Sequence, residues 1–206
     1  MSAAERLKYY TPSLSVAYPN RYTVAEYLAI AAATDARLEY TNGCIVENEA
    51  GGSFRHALIA ANALTALNIA LKGAPCKAIG SDLKVATEVS FRFPDALIVC
   101  REPEFYDKNQ TILTNPTVLM EVVSSESSVR DYVTKRLEYF SIPSLRHYIV
   151  IEQEVPTVSV YTKNQNATLS FVDYDFKSNI IRLDGIIDTL NIIINMNDIY
   201  EGVHSN

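Results

Sequence analysis

The chain has 206 residues, of which 48% are hydrophobic and 20% charged, the composition of an ordinary globular protein and not of a disordered or fibrous one. At this length folding removes roughly 70% of the extended chain's surface from water, enough for a core without covalent staples. The formal net charge of −6 counts against a protein that coats nucleic acid by bulk attraction, which is normally built on an excess of Lys and Arg. It permits an enzyme that gathers acidic groups at a metal and basic groups around the rim.

Cys44, Cys76 and Cys100 are odd in number and widely spaced, with no C-x-x-C pair. That pattern argues against zinc sites and disulfide frameworks and for a reducing compartment. The opening residues carry Glu5, Arg6 and Lys8 and no apolar leader, so the expected location is the cytoplasm. The most apolar helical stretch, Leu58 to Leu71, includes Asn62, Thr65 and Asn68 and does not read as a membrane span.

In chain order, residues 1–20 read as an N-terminal arm packed by its tyrosines, and residues 21–203 as one domain. Thr23 with Glu26 three residues on is a capping box, which predicts a helix to about Thr34. Asn42-Gly43 between Arg37–Tyr40 and Cys44–Glu47 predicts a hairpin. A long helix is expected from Ser53 to Lys72, burying Leu58, Ala61, Leu64, Leu67 and Leu71, with Gly73 and Pro75 ending it. Strands follow near Cys76–Ala86, Phe93–Cys100 and Thr117–Val123, with a polar loop from Asp107 to Asn115. Ser127 or Ser128 caps a second helix to Phe140, with Val129, Tyr132, Val133 and Phe140 on its apolar stripe. Further strands fall at Arg146–Glu152, Thr157–Tyr161, Leu169–Tyr174 and Ile180–Leu183, then a helical turn at Asp198–Glu201. This order predicts an α/β (α+β) domain, a central mixed sheet flanked by helices.

Three acidic or basic positions stand out within these elements. Val118 to Val123 is apolar on both faces except for Glu121, so it reads as a central strand whose carboxylate needs either a partner or water. Asp95 opens Asp95–Cys100, a second strand apolar on both faces, and Pro94 before it suits a strand's entry point. If the two strands are adjacent and antiparallel, the start of one lies beside the end of the other, and Asp95 meets Glu121. Carboxylates about 4 Å apart repel by on the order of 4 kcal/mol at an effective dielectric near 20, so they share a proton or a cation. An oxygen-rich donor set favours Mg²⁺ or Mn²⁺ over Zn²⁺. Asp131 and Lys135 are i and i+4 on the following helix. They form either a surface ion pair or a contribution to the carboxylate site, with Lys135 reaching inward.

Pro94-Asp95, then Glu121-Val122-Val123-Ser124, then a helix with Asp131, Lys135 and Tyr139 resemble the PD-(D/E)XK restriction-endonuclease-like superfamily. Within it the chain is most similar to the Uma-two type of bacterial nucleases, common in cyanobacteria. Glu26-Tyr27-Leu28, Leu38-Glu39-Tyr40 before Asn42-Gly43, His56, and Ser144 through Val150 extend the resemblance from about Tyr22 to Tyr161. The superfamily's usual lysine falls where this chain has Val123, and the resemblance implies that Lys135 replaces it.

The resemblance further implies a DNA endonuclease in which Asp95, Glu121 and the Val122 carbonyl hold Mg²⁺ (or Mn²⁺) and Lys135 assists catalysis, leaving a 5′-phosphate. Glu39 is a candidate to complete the metal site. His56 and Arg130 are candidates for phosphate contact, with Arg136 and Arg146 as weaker ones. A homodimer is expected, and no membrane partner. The alternative is a catalytically inactive nuclease fold serving as a nucleic-acid-binding or regulatory module, which Val123 and the acidic charge favour.

Overall fold

A computed structural model describes residues 21–48, 52–124, 131–187 and 190–203, with only the backbone of 131, 132 and 187. The centre is a six-stranded sheet in the order β11-β10-β9-β8-β6-β3. Its strands are β3 (Lys77–Gly80), β6 (Ala96–Val99), β8 (Val118–Val123), β9 (His147–Glu152), β10 (Thr157–Lys163) and β11 (Leu169–Asp175). β8 runs parallel to β9 and antiparallel to β6, so the sheet is mixed.

Every residue of β6 and β8 is buried, as expected for strands covered on both faces. Alternation sends Ala96, Ile98, Val118, Met120 and Val122 into one core layer. Leu97, Val99, Leu119 and Val123 enter the other, with Tyr139, Tyr148 and Val150. The first layer is closed by helix α2 (Phe54–Ala70), the hairpin β12 (Ile180–Ile187) and β13 (Leu190–Asn195), and the short helix α4 (Met196–Ile199). The second is closed by helix α3 (Arg136–Phe140) and the turn after it.

A smaller sheet has the order β2-β1-β5-β4-β7, comprising β1 (Leu38–Thr41), β2 (Cys44–Glu47), β4 (Lys84–Ala86), β5 (Ser90–Arg92) and β7 (Ile112–Leu113). Helix α1 (Val24–Ala31) packs on it, and the Thr23–Glu26 capping box forms as the spelling predicts. Asn42 and Gly43 both take positive φ, 48° and 88°, the conformation a two-residue hairpin turn requires.

Several expectations need correction. Beside the expected central mixed sheet, the described residues form two smaller sheets, and the predicted strand 76–86 breaks at Ser81-Asp82. Arg37 grips that turn through the Asp82 carboxylate (2.8 Å) and the Ser81 carbonyl (2.6 Å), sending β3 and β4 to different sheets. The Asp107–Asn115 loop contains β7, and β13 was not anticipated. Helix α2 buries Ile59, Ala63, Ala66 and Leu67 and exposes Ala61. Of the expected face, Leu67 and Leu71 are buried and Leu64 packs partly buried against the same core. Cys76 and Cys100 are joined in a disulfide. Lys77 pairs with Val99 across β3 and β6, so the next step outward sets the two cysteines face to face. Cysteine usage therefore carries no argument for a reducing compartment. No helix among the described residues is long and apolar enough to cross a membrane.

Candidate active site

The β6–β8 ladder pairs Ala96 with Met120, and one further step sets Asp95 opposite Glu121. The Asp95 N–H donates to the Met120 carbonyl at 3.0 Å, closing the ladder at the strand's entry. Pro94, with no N–H, stands just outside it. The Asp95 side chain turns along β8, where Oδ2 accepts from the Val122 N–H at 2.7 Å. The carbonyl of Val122 leaves the strand on the same edge as that N–H and so points past the start of β6.

Glu121 is buried and held by the segment that follows. Residues Asp131–Lys135 form a π-helical turn that runs into α3. Lys135 Nζ lies 2.9 Å from Glu121 Oε2, and the Tyr139 hydroxyl donates to Oε1 at 2.6 Å. The wide turn changes the helix's phase relative to a continuous α-helix. Tyr139 thereby takes the buried position, and Val133, expected on the apolar stripe, is exposed.

His56 reaches the site from the first turn of α2. Ser53 caps that helix by accepting from the His56 N–H at 3.1 Å, and its hydroxyl donates to Gln153 Oε1 at 3.0 Å. Gln153 follows β9, so this pair ties the helix start to the sheet's end. His56 Nε2 then meets Asp95 Oδ1 at 3.1 Å. Gly52 is needed here, since a Cβ on it would come within 2.8 Å of the His56 ring's Cγ. Asp95, Glu121, Lys135, His56, Gln153 and Ser124 all line one cavity of about 370 Å³.

The Asp95 hydrogen bond is the main cause of a raised His56 pKa, partly offset by burial and reinforced by the charges of Asp95 and Glu121. Burial and the neighbouring Glu121 charge push the Tyr139 phenol well above its ordinary value, so it stays a donor. Two carboxylates thus face a lysine and a histidine with raised basicity. Among the described residues no three His, Cys, Asp or Glu side chains gather to hold a metal. A hard cation here would be held by two carboxylates, the Val122 carbonyl and water, a set that suits Mg²⁺ or Mn²⁺, which keep several waters. The residues present fit such an ion.

Asp95, Glu121, Lys135 and His56, singled out from the sequence, therefore converge. Glu39, the candidate to complete the metal site, does not join them and is absent from the cavity lining. It is buried behind the cavity, accepting from Arg92 Nη1 at 2.9 Å, the Phe93 N–H at 3.0 Å and Asn48 at 3.3 Å. Arg130 and the Asp131 side chain lie outside the described residues, as do residues 1–20 and the Ser127/Ser128 cap. Arg136 lies over the Tyr161 ring, and Arg146 lines a separate cavity at the opposite end of the central sheet, beside Arg101 and Lys163. Asp82 is taken by Arg37, and Lys84 lies over the Tyr27 and Phe93 rings. Sequence reasoning missed Gln153 and Arg92. The only sign of Gln153 was its place just beyond a both-faces-buried strand beside β8.

Comparison with solved structures gives the class first. The fold matches that of a crystal structure described as "a putative nuclease belonging to DUF820" from Anabaena variabilis, with a TM-score of 0.64 over 99% of each chain and 16% identity. This is a nuclease-like α+β fold. The chain belongs to the Uma2 family, described as "Putative restriction endonuclease", whose model matches residues 24–191. Among its relatives are two uncharacterized proteins of Synechocystis sp. One is 30% identical over 68% of this chain and 80% of its own length. The other is 26% identical over 72% and 78%.

Proposed function

We propose that this chain is a divalent-metal-dependent endonuclease that hydrolyses phosphodiester bonds of DNA. The carrying observation is that Asp95 and Glu121, paired across antiparallel strands, share one cavity with Lys135 held 2.9 Å from Glu121. Asp95, Glu121 and the Val122 carbonyl would hold the cation, which when bound supplies Lewis-acid polarisation and acidifies water.

The chain's own groups do the rest. Lys135, its ammonium fixed by Glu121 before substrate arrives, offers preorganised positive charge to the phosphate oxygens as their charge grows. Tyr139 fixes the other oxygen of Glu121 and so the direction in which that carboxylate points. His56 holds Asp95 and adds positive character on the side of the cavity formed by α2. Cutting both strands of a duplex calls for two such sites, so a homodimer belongs to the proposal.

A second reading, a nuclease fold kept for binding alone, is favoured by the balance of charge. Lys135 and His56 already compensate both carboxylates without a cation. One experiment separates the two. Purified protein is incubated with supercoiled plasmid and with single-stranded DNA, in Mg²⁺ or Mn²⁺, beside Asp95→Asn and Lys135→Met. The proposal expects nicking that EDTA abolishes and Asp95→Asn removes. Lys135→Met should lose about 10²–10³-fold, the scale of one preorganised donor. Cutting that survives both substitutions would end it, and DNA binding without cutting in either metal would establish the second reading.

A further inference from the structure

The cavity at the opposite end of the central sheet is charged differently from the candidate active site. It measures about 620 Å³ and is lined by Arg101, Arg146 and Lys163, with Glu104 the only carboxylate among its described lining residues. Three cations against one carboxylate leave two positive charges, in a chain whose net charge is −6. In the candidate active site, by contrast, Asp95 and Glu121 are matched by His56 and Lys135. Thr117 lines the first cavity and Val122 the second. Strand β8, six residues long and so about 20 Å from end to end, keeps the two apart.

The register of the sheet brings the cations together. Thr162 pairs with His147 across β10 and β9, so the next step sets Lys163 opposite Arg146. The Lys163 N–H donates to the Arg146 carbonyl at 2.8 Å. Like charges directly opposite each other on neighbouring strands are destabilising. Arg37, Arg92 and Lys135 each meet a carboxylate, whereas among the described residues Arg101, Arg146 and Lys163 form no ion pair. Lys163 Nζ donates instead to the Phe140 and Ile142 carbonyls at 3.2 and 3.3 Å. Those neutral acceptors fix the ammonium in place without cancelling its charge. Asn115 accepts from the Glu104 N–H at 3.0 Å and donates to the Glu102 carbonyl at 2.9 Å. It thereby fastens the segment that carries Arg101 beside the approach to β8.

We infer that this cavity binds a small organic phosphomonoester, its phosphate seated among Arg101, Arg146 and Lys163. Charge selects that anion. A phosphomonoester carries about −1.5 to −2 at neutral pH, close to the surplus, whereas a carboxylate or a backbone phosphodiester carries a single charge. Arginine forks match its oxygens two at a time. Size selects the organic body, since sites for whole small molecules run roughly 300–1,000 Å³, and the Gln165 amide in the wall suits polar groups on it. The inference stands apart from the nuclease reading.

The test is isothermal titration calorimetry of the full chain in EDTA, which keeps metal-held phosphate out of the other cavity. The probes are adenosine 5′-monophosphate, ribose 5-phosphate, adenosine, inorganic phosphate and a blunt duplex with 5′-hydroxyl ends. At least one organic phosphate should bind, about tenfold or more tighter than inorganic phosphate, and adenosine should not. Arg146→Gln should weaken that binding roughly ten- to 100-fold, the scale of a hydrogen bond to a charged group. Arg101→Gln should weaken it too, and because Arg101 is exposed this variant keeps the fold and decides the matter even where Arg146→Gln does not. Lys135→Met, in the other cavity, should leave the affinity unchanged. No binding of either organic phosphate, affinity no better than that of inorganic phosphate, or binding indifferent to both arginine variants would each overturn the inference. So would a loss with Lys135→Met, which would place the ligand in the other cavity. Duplex binding that Arg146→Gln abolishes would overturn it as well, since the cations would then track a nucleic-acid backbone.

Discussion

Helix α3 separates two clusters of charge that are built in opposite ways. On one side Arg92, 1% exposed, forms a fork on Glu138 through Nε and Nη2, both at 2.9 Å, and reaches Glu39 through Nη1 at 2.9 Å. Burial opposes the Arg92 charge, but the hydrogen bonds and fields of Glu138 and Glu39 outweigh it and raise its pKa further. On the other side Glu121 and Asp95 are matched by Lys135 and His56, and all four line the cavity. The first cluster is closed and its partners cannot be exchanged. The second is equally charged but open, so a ligand can compete for its groups. Charge pairing alone does not mark a functional site; access does.

The largest effect should come from breaking the closed cluster. Arg92→Met leaves Glu39 and Glu138 without their cation in a dry setting, and removing one partner of a buried ion pair costs about 3–5 kcal/mol. Denaturant unfolding should show that loss. Because Arg92 bonds Glu138, one residue before Tyr139, the variant should also loosen the helix that carries Lys135 and Tyr139. A loss below about 1 kcal/mol would mean that water reaches this cluster too, and the contrast would fail.

Lys135→Met should cost less, about 1–2 kcal/mol, because Glu121 borders a cavity from which water can solvate it, unlike a sealed pair. The open cluster should then respond to ions where the closed one does not. Without Lys135, two carboxylates are left with His56 alone, so Mg²⁺ should raise the Tm of Lys135→Met more than that of the wild type. Arg92→Met should gain no such extra rise. Thermal melts in Mg²⁺ and in EDTA would check this, and an identical Mg²⁺ response in wild type and Lys135→Met would argue against a cation at Asp95 and Glu121.

The open cluster was far more legible in the sequence than the closed one. Strands apolar on both faces, broken only by Asp95 and Glu121, announce carboxylates at the end of a buried sheet. Pro94 marks which end of its strand Asp95 occupies. The inward reach of Lys135 was one of two readings of its i,i+4 place on the helix, and its role in place of the usual lysine came from resemblance; the π-helical turn that it ends leaves no trace in residue spacing. Arg92 was opaque because no strand was expected over Ser90-Phe91-Arg92, between the predicted strands 76–86 and 93–100, and a lone arginine there gives no sign of burial. Its two partners come from β1 and α3, 53 and 46 residues away, and only tertiary pairing reveals that the three meet. Glu39 was a candidate by resemblance alone, and nothing in its hairpin spelling foretold that Arg92 and the Phe93 N–H take up its carboxylate. The Cys76–Cys100 bond was hidden likewise, by a register that local spacing does not encode.

The smallest effect concerns protons, and it separates the open site from its sealed surroundings once more. His56 has a raised pKa, mainly through its hydrogen bond to Asp95. His147, buried at the start of β9 between Thr162 and the Asp184 carbonyl, has a lowered one, mainly through burial. In the folded state His56 binds its proton more tightly than an unfolded histidine with a pKa of about 6.5. Its contribution to stability is therefore complete below that value and lost as pH rises through its own higher pKa. His147 binds its proton less tightly, so its contribution is present above about 6.5 and lost as pH falls through its own lower pKa. Melts in EDTA across this range should show His56→Gln flattening the alkaline side of the stability curve and His147→Gln the acid side. Each change should be under about 1 kcal/mol, less than one unit of pKa shift for a group not fully withdrawn from water. The reverse assignment of the two limbs would place the sealed environment at His56 and remove the electrostatic reason for treating the cavity as the exchangeable site.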